Sequence, residues 1–93
     1  MVVYDIDFKG VTDFWGYYRA IISALDLPYW CGRTDDAIWD MLTGYIDIPD
    51  AIRFHNFNSL PKDLDVLKPT TIKVFERAAT YYDDEQYVFE IVD

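Results

Sequence analysis

The chain has 93 residues, of which 52% are hydrophobic and 18% aromatic, which is enough apolar material for the core of one small domain over residues 1–93. Its eight Lys and Arg residues against seventeen Asp and Glu residues give a net charge of −9. A field of that sign repels phosphate backbones and anionic membranes and attracts basic partners. Direct binding to nucleic acid or to a membrane is therefore not expected.

Targeting and redox signals are few. Residues 1–10 carry acids where a signal peptide needs a basic region and a long apolar run, and no segment reaches the roughly 20 apolar residues that span a bilayer. The lone cysteine, Cys31, has no partner for an intramolecular disulfide or a metal cluster. We therefore expect a cytoplasmic protein without a metal or cofactor.

The first two elements are predicted to be a strand and an amphipathic helix. Residues 2–8 alternate apolar side chains with Val3, Asp5 and Asp7, which is the period-two pattern of a strand. Gly10 ends the strand, and Thr12 can cap a helix that continues toward Pro28. An aromatic and aliphatic stripe at helical spacing should face the core: Phe14, Tyr17, Tyr18, Ile21, Ile22 and Leu25.

A second helix of about ten residues is predicted to begin after Thr34. Thr34 is a suitable N-cap, and Asp35 and Asp36 would complement the positive end of the helix dipole. The helix should end at Gly44 or before Pro49. Its inward face would be formed by Ile38, Met41, Leu42 and Tyr45.

The rest of the chain predicts two strands around a third helix. Residues 51–57 alternate, with Ile52 and Phe54 on one face and Phe57 on the other, and residues 59–67 form a linker or a short helix. Pro69 suits the first turn of a helix with an apolar stripe at Ile72, Phe75, Ala79 and Tyr82. Residues 87–92 read as the last strand. The order β-α-α-β-α-β predicts an α/β fold with a small parallel sheet and right-handed crossovers.

The second helix also carries an acidic surface. Asp36 and Asp40 are four residues apart, so both lie on one helical face, where like charges cost a few tenths of a kcal/mol. No basic residue occurs from residue 34 to residue 50, and a second acidic cluster occupies residues 83–85. One interpretation is a solvated polar face. Large aromatics nearby, Tyr29, Trp30 and Tyr45, favour a protein interface instead, whereas for Trp39 a place in the core is an equal or better interpretation.

The residues give little support for catalysis. His55, the one histidine, lies in a predicted strand with no motif around it. Cys31 lies near a helix N-terminus that would lower its pKa, but without a nearby base it is better interpreted as a small loop residue. No glycine-rich phosphate loop or calcium-loop spacing is present. We therefore expect a protein that is not an enzyme.

The segment from Leu27 to Ile46, which contains the capped second helix and its acidic surface, resembles the barstar family of ribonuclease inhibitors. The likeness includes Leu27-Pro28, Gly32, the DAIWD string of residues 36–40 and the LTGY string of residues 42–45. Flanking elements extend it over nearly the whole chain. The resemblance implies a three-stranded parallel sheet packed with three to four helices. It also implies a monomer that binds a basic, extracellular barnase-like ribonuclease 1:1, as an immunity protein does.

The resemblance also implies roles for individual residues. Asp40 would occupy the place of a substrate phosphate, Asp36 would face the cationic groups of the enzyme, and Trp30 would pack against the catalytic base. Gly32 would permit a close approach or a positive φ at the helix entrance. The other contact residues implied are Thr34, Asp35, Trp39, Thr43, Gly44, Tyr45 and Asp47.

Three residues depart from the family pattern. Cys31 stands where a second aromatic is common, Thr34 where an asparagine is common, and Arg77 where the last helix commonly carries an acid. Two further hypotheses therefore stay open: a barstar-fold module that binds another basic protein without inhibiting it, and a small carboxylate enzyme.

Overall fold

The computed structural model describes residues 1–93 and contains one sheet of three parallel strands in the order β1-β2-β3. The strands are β1 (Val3–Asp7), β2 (Ala51–His55) and β3 (Val88–Ile91). Between β1 and β2 the chain forms α1 (Phe14–Ala24) and α2 (Asp35–Gly44), and α3 (Lys68–Ala79) precedes β3. Two short 3-10 helices follow β2, at Phe57–Ser59 and Lys62–Leu67. The predicted α/β fold, its element order and its parallel sheet are confirmed.

The two faces of the sheet differ in polarity. Residues in register share a face, so Tyr4, Ile52 and Phe89 form one apolar row, and a second row contains Ile6 and Phe54. This face meets the helices, where the Phe54 ring lies 4.8 Å from the ring of Phe75. The core therefore lies on one side of the sheet.

The opposite face is mostly polar, which is uncommon for a parallel sheet. Asp5, Arg53 and Glu90 lie in one row across the three strands. Arg53 pairs with Glu90 at 2.9 Å, and the His55 ring nitrogen lies 2.7 Å from the Asp5 carboxylate. Cross-strand pairs of this kind stabilise the observed register of the three strands.

Two helix boundaries differ from the prediction. The N-cap of α1 is Asp13 rather than Thr12, because the Asp13 carboxylate accepts the N–H of Gly16 at 2.8 Å. The helix then ends at Ala24, before Pro28, because Asp26 adopts a left-handed φ of 52°. The intervening residues form a turn that leads into the loop before α2.

The chain after β2 also departs from the prediction. Asn56 adopts a left-handed φ of 58°, which ends the strand at His55. Phe57 is thereby turned into the core, so its predicted place on the outward face is wrong. Tyr82 lies beyond the end of α3 rather than on its stripe, and β3 begins one residue later than expected, at Val88.

The core consists of nineteen buried residues contributed by the sheet, the three helices and the segments between them. Thr71 is buried beside it, and its hydroxyl accepts a hydrogen bond from the Tyr17 hydroxyl at 2.7 Å. The Thr71 hydroxyl in turn donates a hydrogen bond to the Leu67 carbonyl at 3.0 Å. Burial raises the pKa of Tyr17 to about 12. No helix is long and apolar enough to cross a membrane.

Candidate partner-binding site

The site begins with the cap of α2. Thr34 has extended backbone angles, and its hydroxyl accepts the N–H of Ala37 at 3.1 Å. This bond satisfies one of the free N–H groups of the first helical turn, and Asp35 and Asp36 in that turn complement the helix dipole. The local sequence therefore fixes where the helix starts and which side chains it exposes.

Two carboxylates lie in one exposed row along α2. Ile38 and Leu42 are buried, whereas Asp36, Asp40 and Gly44, spaced by four residues, are all exposed. The prediction that Asp36 and Asp40 share one helical face is confirmed. Neither carboxylate takes part in an ion pair or a side-chain hydrogen bond. We call Asp36, Asp40 and Gly44 the acidic row.

Asp35 points elsewhere. It is half-buried, and its carboxylate accepts the Tyr18 hydroxyl of α1 at 3.1 Å. Burial raises the pKa of Tyr18, and the negative charge and hydrogen bond of Asp35 raise it further. Asp35 therefore ties α2 to α1, which holds the start of the acidic row in place.

The loop before α2 presents aromatic side chains. Tyr29 is 93% exposed and Trp30 is 61% exposed, as predicted. Cys31 is only 2% exposed because the loop turns back there, with the Cys31 N–H donating to the Pro28 carbonyl at 2.9 Å. Burial raises the pKa of the Cys31 thiol, so the interpretation of Cys31 as an activated thiolate is wrong.

Gly32 serves close packing rather than unusual backbone geometry. Its φ is not positive, which corrects one of the two roles considered for it. A Cβ at this position would lie 3.2 Å from the Cβ of Ala37, so the absence of a side chain lets the loop pass closely over the first turn of α2.

The C-terminal end of α2 carries the other predicted contact residues. Thr43 is half-buried, and its hydroxyl donates to the Trp39 carbonyl at 2.8 Å. Gly44 faces open space, with nothing within 4 Å of where a Cβ would be. Tyr45 is 52% exposed, so its predicted inward position is wrong, and Asp47 is also exposed.

A cleft of about 320 Å³ separates α2 from α3. Trp39 is half-buried in its wall and packs edge-to-face on Tyr81, with ring centroids 5.3 Å apart. The segment after α3 also returns to α2, since the Tyr82 hydroxyl donates to the Thr43 carbonyl. The cleft is lined by seven residues: Asp35, Asp36, Trp39, Thr70, Lys73, Val74 and Arg77.

The structure adds basic neighbours to the site, of which the sequence analysis named only Arg77, as a departure from the family pattern. Arg33 extends its guanidinium over the Trp15 ring at 5.1 Å, and its Nε is buried without a hydrogen-bond partner. Lys73 lies four residues before Arg77 on α3 and faces the same cleft. The spacing of Lys73 and Arg77 was visible in the sequence, but their place opposite α2 depends on how the helices pack.

The site offers no grouping of three or more His, Cys, Asp and Glu side chains suited to a metal ion. Its exposed groups are carboxylates, aromatic rings and hydroxyls on a capped helix and its entrance loop. Such a surface can bind cations and flat side chains of another protein.

Residues 1–93 match the family described as "Barstar (barnase inhibitor)". A Bacillus subtilis (strain 168) protein named "Putative ribonuclease inhibitor YrdF" is 34% identical over 61 residues, which is 66% of this chain and 67% of that protein. The chain therefore belongs to the barstar family.

Proposed function

We propose that this chain inhibits a basic, barnase-type ribonuclease by placing α2 and its entrance loop in the active site of the enzyme. The observation that carries the proposal is the acidic row: two exposed carboxylates on one helical face, neither of which forms an ion pair within the chain. An enzyme that binds RNA phosphates presents cations that can pair with these carboxylates.

Asp40 is proposed to take the place of a substrate phosphate. A carboxylate offers two acceptor oxygens in a plane, and Arg side chains bind such a group through paired, charge-assisted hydrogen bonds. The helix fixes the backbone of Asp40 before binding, so little conformational freedom is lost in the complex. Asp36, one turn earlier, would face further cationic groups of the same pocket.

Residues around the acidic row would complete the interface. Trp30 is exposed in the entrance loop, where an aromatic ring can bury a large area against the catalytic base of the enzyme. Gly44 exposes bare backbone at the end of the row, which permits close approach of the enzyme. Thr34, Thr43, Tyr45 and Asp47 would form the rim.

The charge of the chain suits this role. A net charge of −9 steers a basic enzyme toward the inhibitor, so association should be fast and should slow as salt is added. We propose a 1:1 complex with the monomer in the cytoplasm, where it protects the producing cell from its own ribonuclease.

The test is RNA cleavage by a panel of purified barnase-type ribonucleases, with and without the chain. Competition for the phosphate site predicts that the chain raises the apparent KM without lowering kcat, and that added salt weakens inhibition. Asp40→Asn should lose inhibition. Glu90→Gln, which removes the same charge from the polar face of the sheet, should keep it. Binding to a ribonuclease that continues to cleave RNA would instead establish a non-inhibitory module.

A further inference from the structure

The cleft between α2 and α3 has walls of opposite charge. Asp35 and Asp36 line the α2 side, and Lys73 and Arg77 line the α3 side, with Trp39 between them. Lys73 and Arg77 are both exposed and, four residues apart on one helix, project from the same face. Asp36, at the start of the acidic row, therefore shares this cleft with two cations.

These two cations have no partner within the chain. The three ion pairs of the structure join Arg53 to Glu90, His55 to Asp5 and Lys68 to Asp65, so neither Lys73 nor Arg77 belongs to one. Neither donates a side-chain hydrogen bond. Both cations are thus available to an incoming group, as the carboxylates of the acidic row are.

A uniformly basic partner would fit this surface poorly. A cation placed against Asp36 in the cleft would also approach Lys73 and Arg77, and like charges brought together in an interface cost several kcal/mol. A partner that matches both walls must present an acidic side chain opposite α3 beside the cations that meet α2. The half-buried Trp39 and Val74 offer apolar walls that would shield this second contact from water.

We infer that the α2–α3 cleft receives an Asp or Glu side chain of the partner ribonuclease, held between Lys73 and Arg77. This inference rests on the proposed function and adds to it a second, oppositely charged contact. The contact selects among ribonucleases, because an enzyme with a basic residue at that point would be repelled by Arg77.

The test measures binding of charge-reversal variants to the ribonuclease that the wild-type chain inhibits most tightly in the panel above, in a catalytically inactive form. Arg77→Glu and Lys73→Glu are compared with Arg19→Glu, which makes the same change on the exposed surface of α1. Long-range attraction alone predicts that every one of these variants, being more acidic, binds a basic enzyme more tightly. The inference predicts the opposite for the cleft: Arg77→Glu and Lys73→Glu weaken binding by about tenfold or more, whereas Arg19→Glu does not.

A second arm identifies the partner group. Each exposed Asp and Glu of the enzyme is changed to Ala, and one of these changes should abolish the effect of Arg77→Glu in a double-mutant cycle. If Arg77→Glu and Lys73→Glu, folded by circular dichroism, bind as tightly as wild type or more tightly, the inference is overturned. Asp40→Ala in the same series reports on the proposed function separately: its loss of binding upholds that function whatever Arg77→Glu does.

Discussion

Neutralising Asp40 should stabilise the free protein while it destroys binding. Asp40 is exposed, has no ion-pair partner, and lies one turn after Asp36 on a helix with three carboxylates and no cation. Relief of the repulsion at this spacing is worth about 0.2–0.5 kcal/mol. Asn has nearly the same helix propensity as Asp, so Asp40→Asn should raise the free energy of unfolding by about 0.2–0.5 kcal/mol.

Urea unfolding at low salt and at about 1 M NaCl measures this effect. The gain should vanish at high salt, where the Debye length falls to about 3 Å. Asp36→Asn is the matched control: it relieves the same repulsion but loses a favourable charge at the helix N-terminus, so its net effect should be near zero. If Asp40→Asn instead destabilises the chain by more than about 1 kcal/mol, Asp40 has a partner within the fold, and the argument that it is free for a ribonuclease fails.

Four further changes test the fold around the site. Tyr17→Phe should lower the free energy of unfolding by about 1 kcal/mol at neutral pH, because it removes the hydrogen bond to Thr71. Tyr87→Phe should leave the free energy of unfolding unchanged, because the buried Tyr87 hydroxyl has no hydrogen-bond partner. Urea unfolding of both variants measures the difference. Burial raises the pKa of both tyrosines to about 12, so the unfolded chain releases these protons first, near pH 10. The free energy of unfolding should therefore fall as pH rises from about 10 to about 12, by up to about 3 kcal/mol per tyrosine, and either Phe variant should flatten that fall. Thr34→Ala should lower stability by about 1 kcal/mol through loss of the N-cap, and an unchanged urea midpoint would show that the cap is not needed. Gly44→Ala should leave stability equal or higher by about 0.5 kcal/mol, because nothing occupies the space of the added methyl, yet weaken ribonuclease binding in a calorimetric titration.

The parts of the site that depend on local sequence were predictable. The Thr34 cap, the start of α2 and the shared face of Asp36 and Asp40 follow from residue type and helical spacing alone. The exposure of Trp30 follows from its place in a loop before a capped helix. Each of these features is fixed within a few residues of chain.

Features that depend on how the backbone turns or on how the helices pack were not predictable from residue type and spacing. Phe57 faces the core because Asn56 turns the chain through a left-handed conformation, which the alternating pattern of the strand does not reveal. Cys31 is buried because its loop folds back, which its position near a helix N-terminus does not reveal. The cleft that brings Arg77 opposite α2 exists only once the helices pack, so spacing along the chain could identify the cation but not its neighbours.

The fold also decides which carboxylate can serve as the control substitution for Asp40. Asp83, in the second acidic cluster of the sequence, directly follows Tyr82, whose hydroxyl binds the Thr43 carbonyl of α2. Asp83 is therefore one residue away from a side chain that contacts α2. Glu90, on the polar face of the sheet and paired with Arg53, is a better site for removing one negative charge without touching α2.

The central claim is that Asp40 contributes strongly to binding of a basic ribonuclease. Calorimetric titration of an inactive barnase-type ribonuclease with the wild-type chain, Asp40→Ala and Glu90→Ala tests it most directly. Asp40→Ala should weaken binding by about 3 kcal/mol or more, as truncation of a buried interfacial charge does, whereas Glu90→Ala should change it by less than about 0.5 kcal/mol. Equal, small effects of the two substitutions would contradict it.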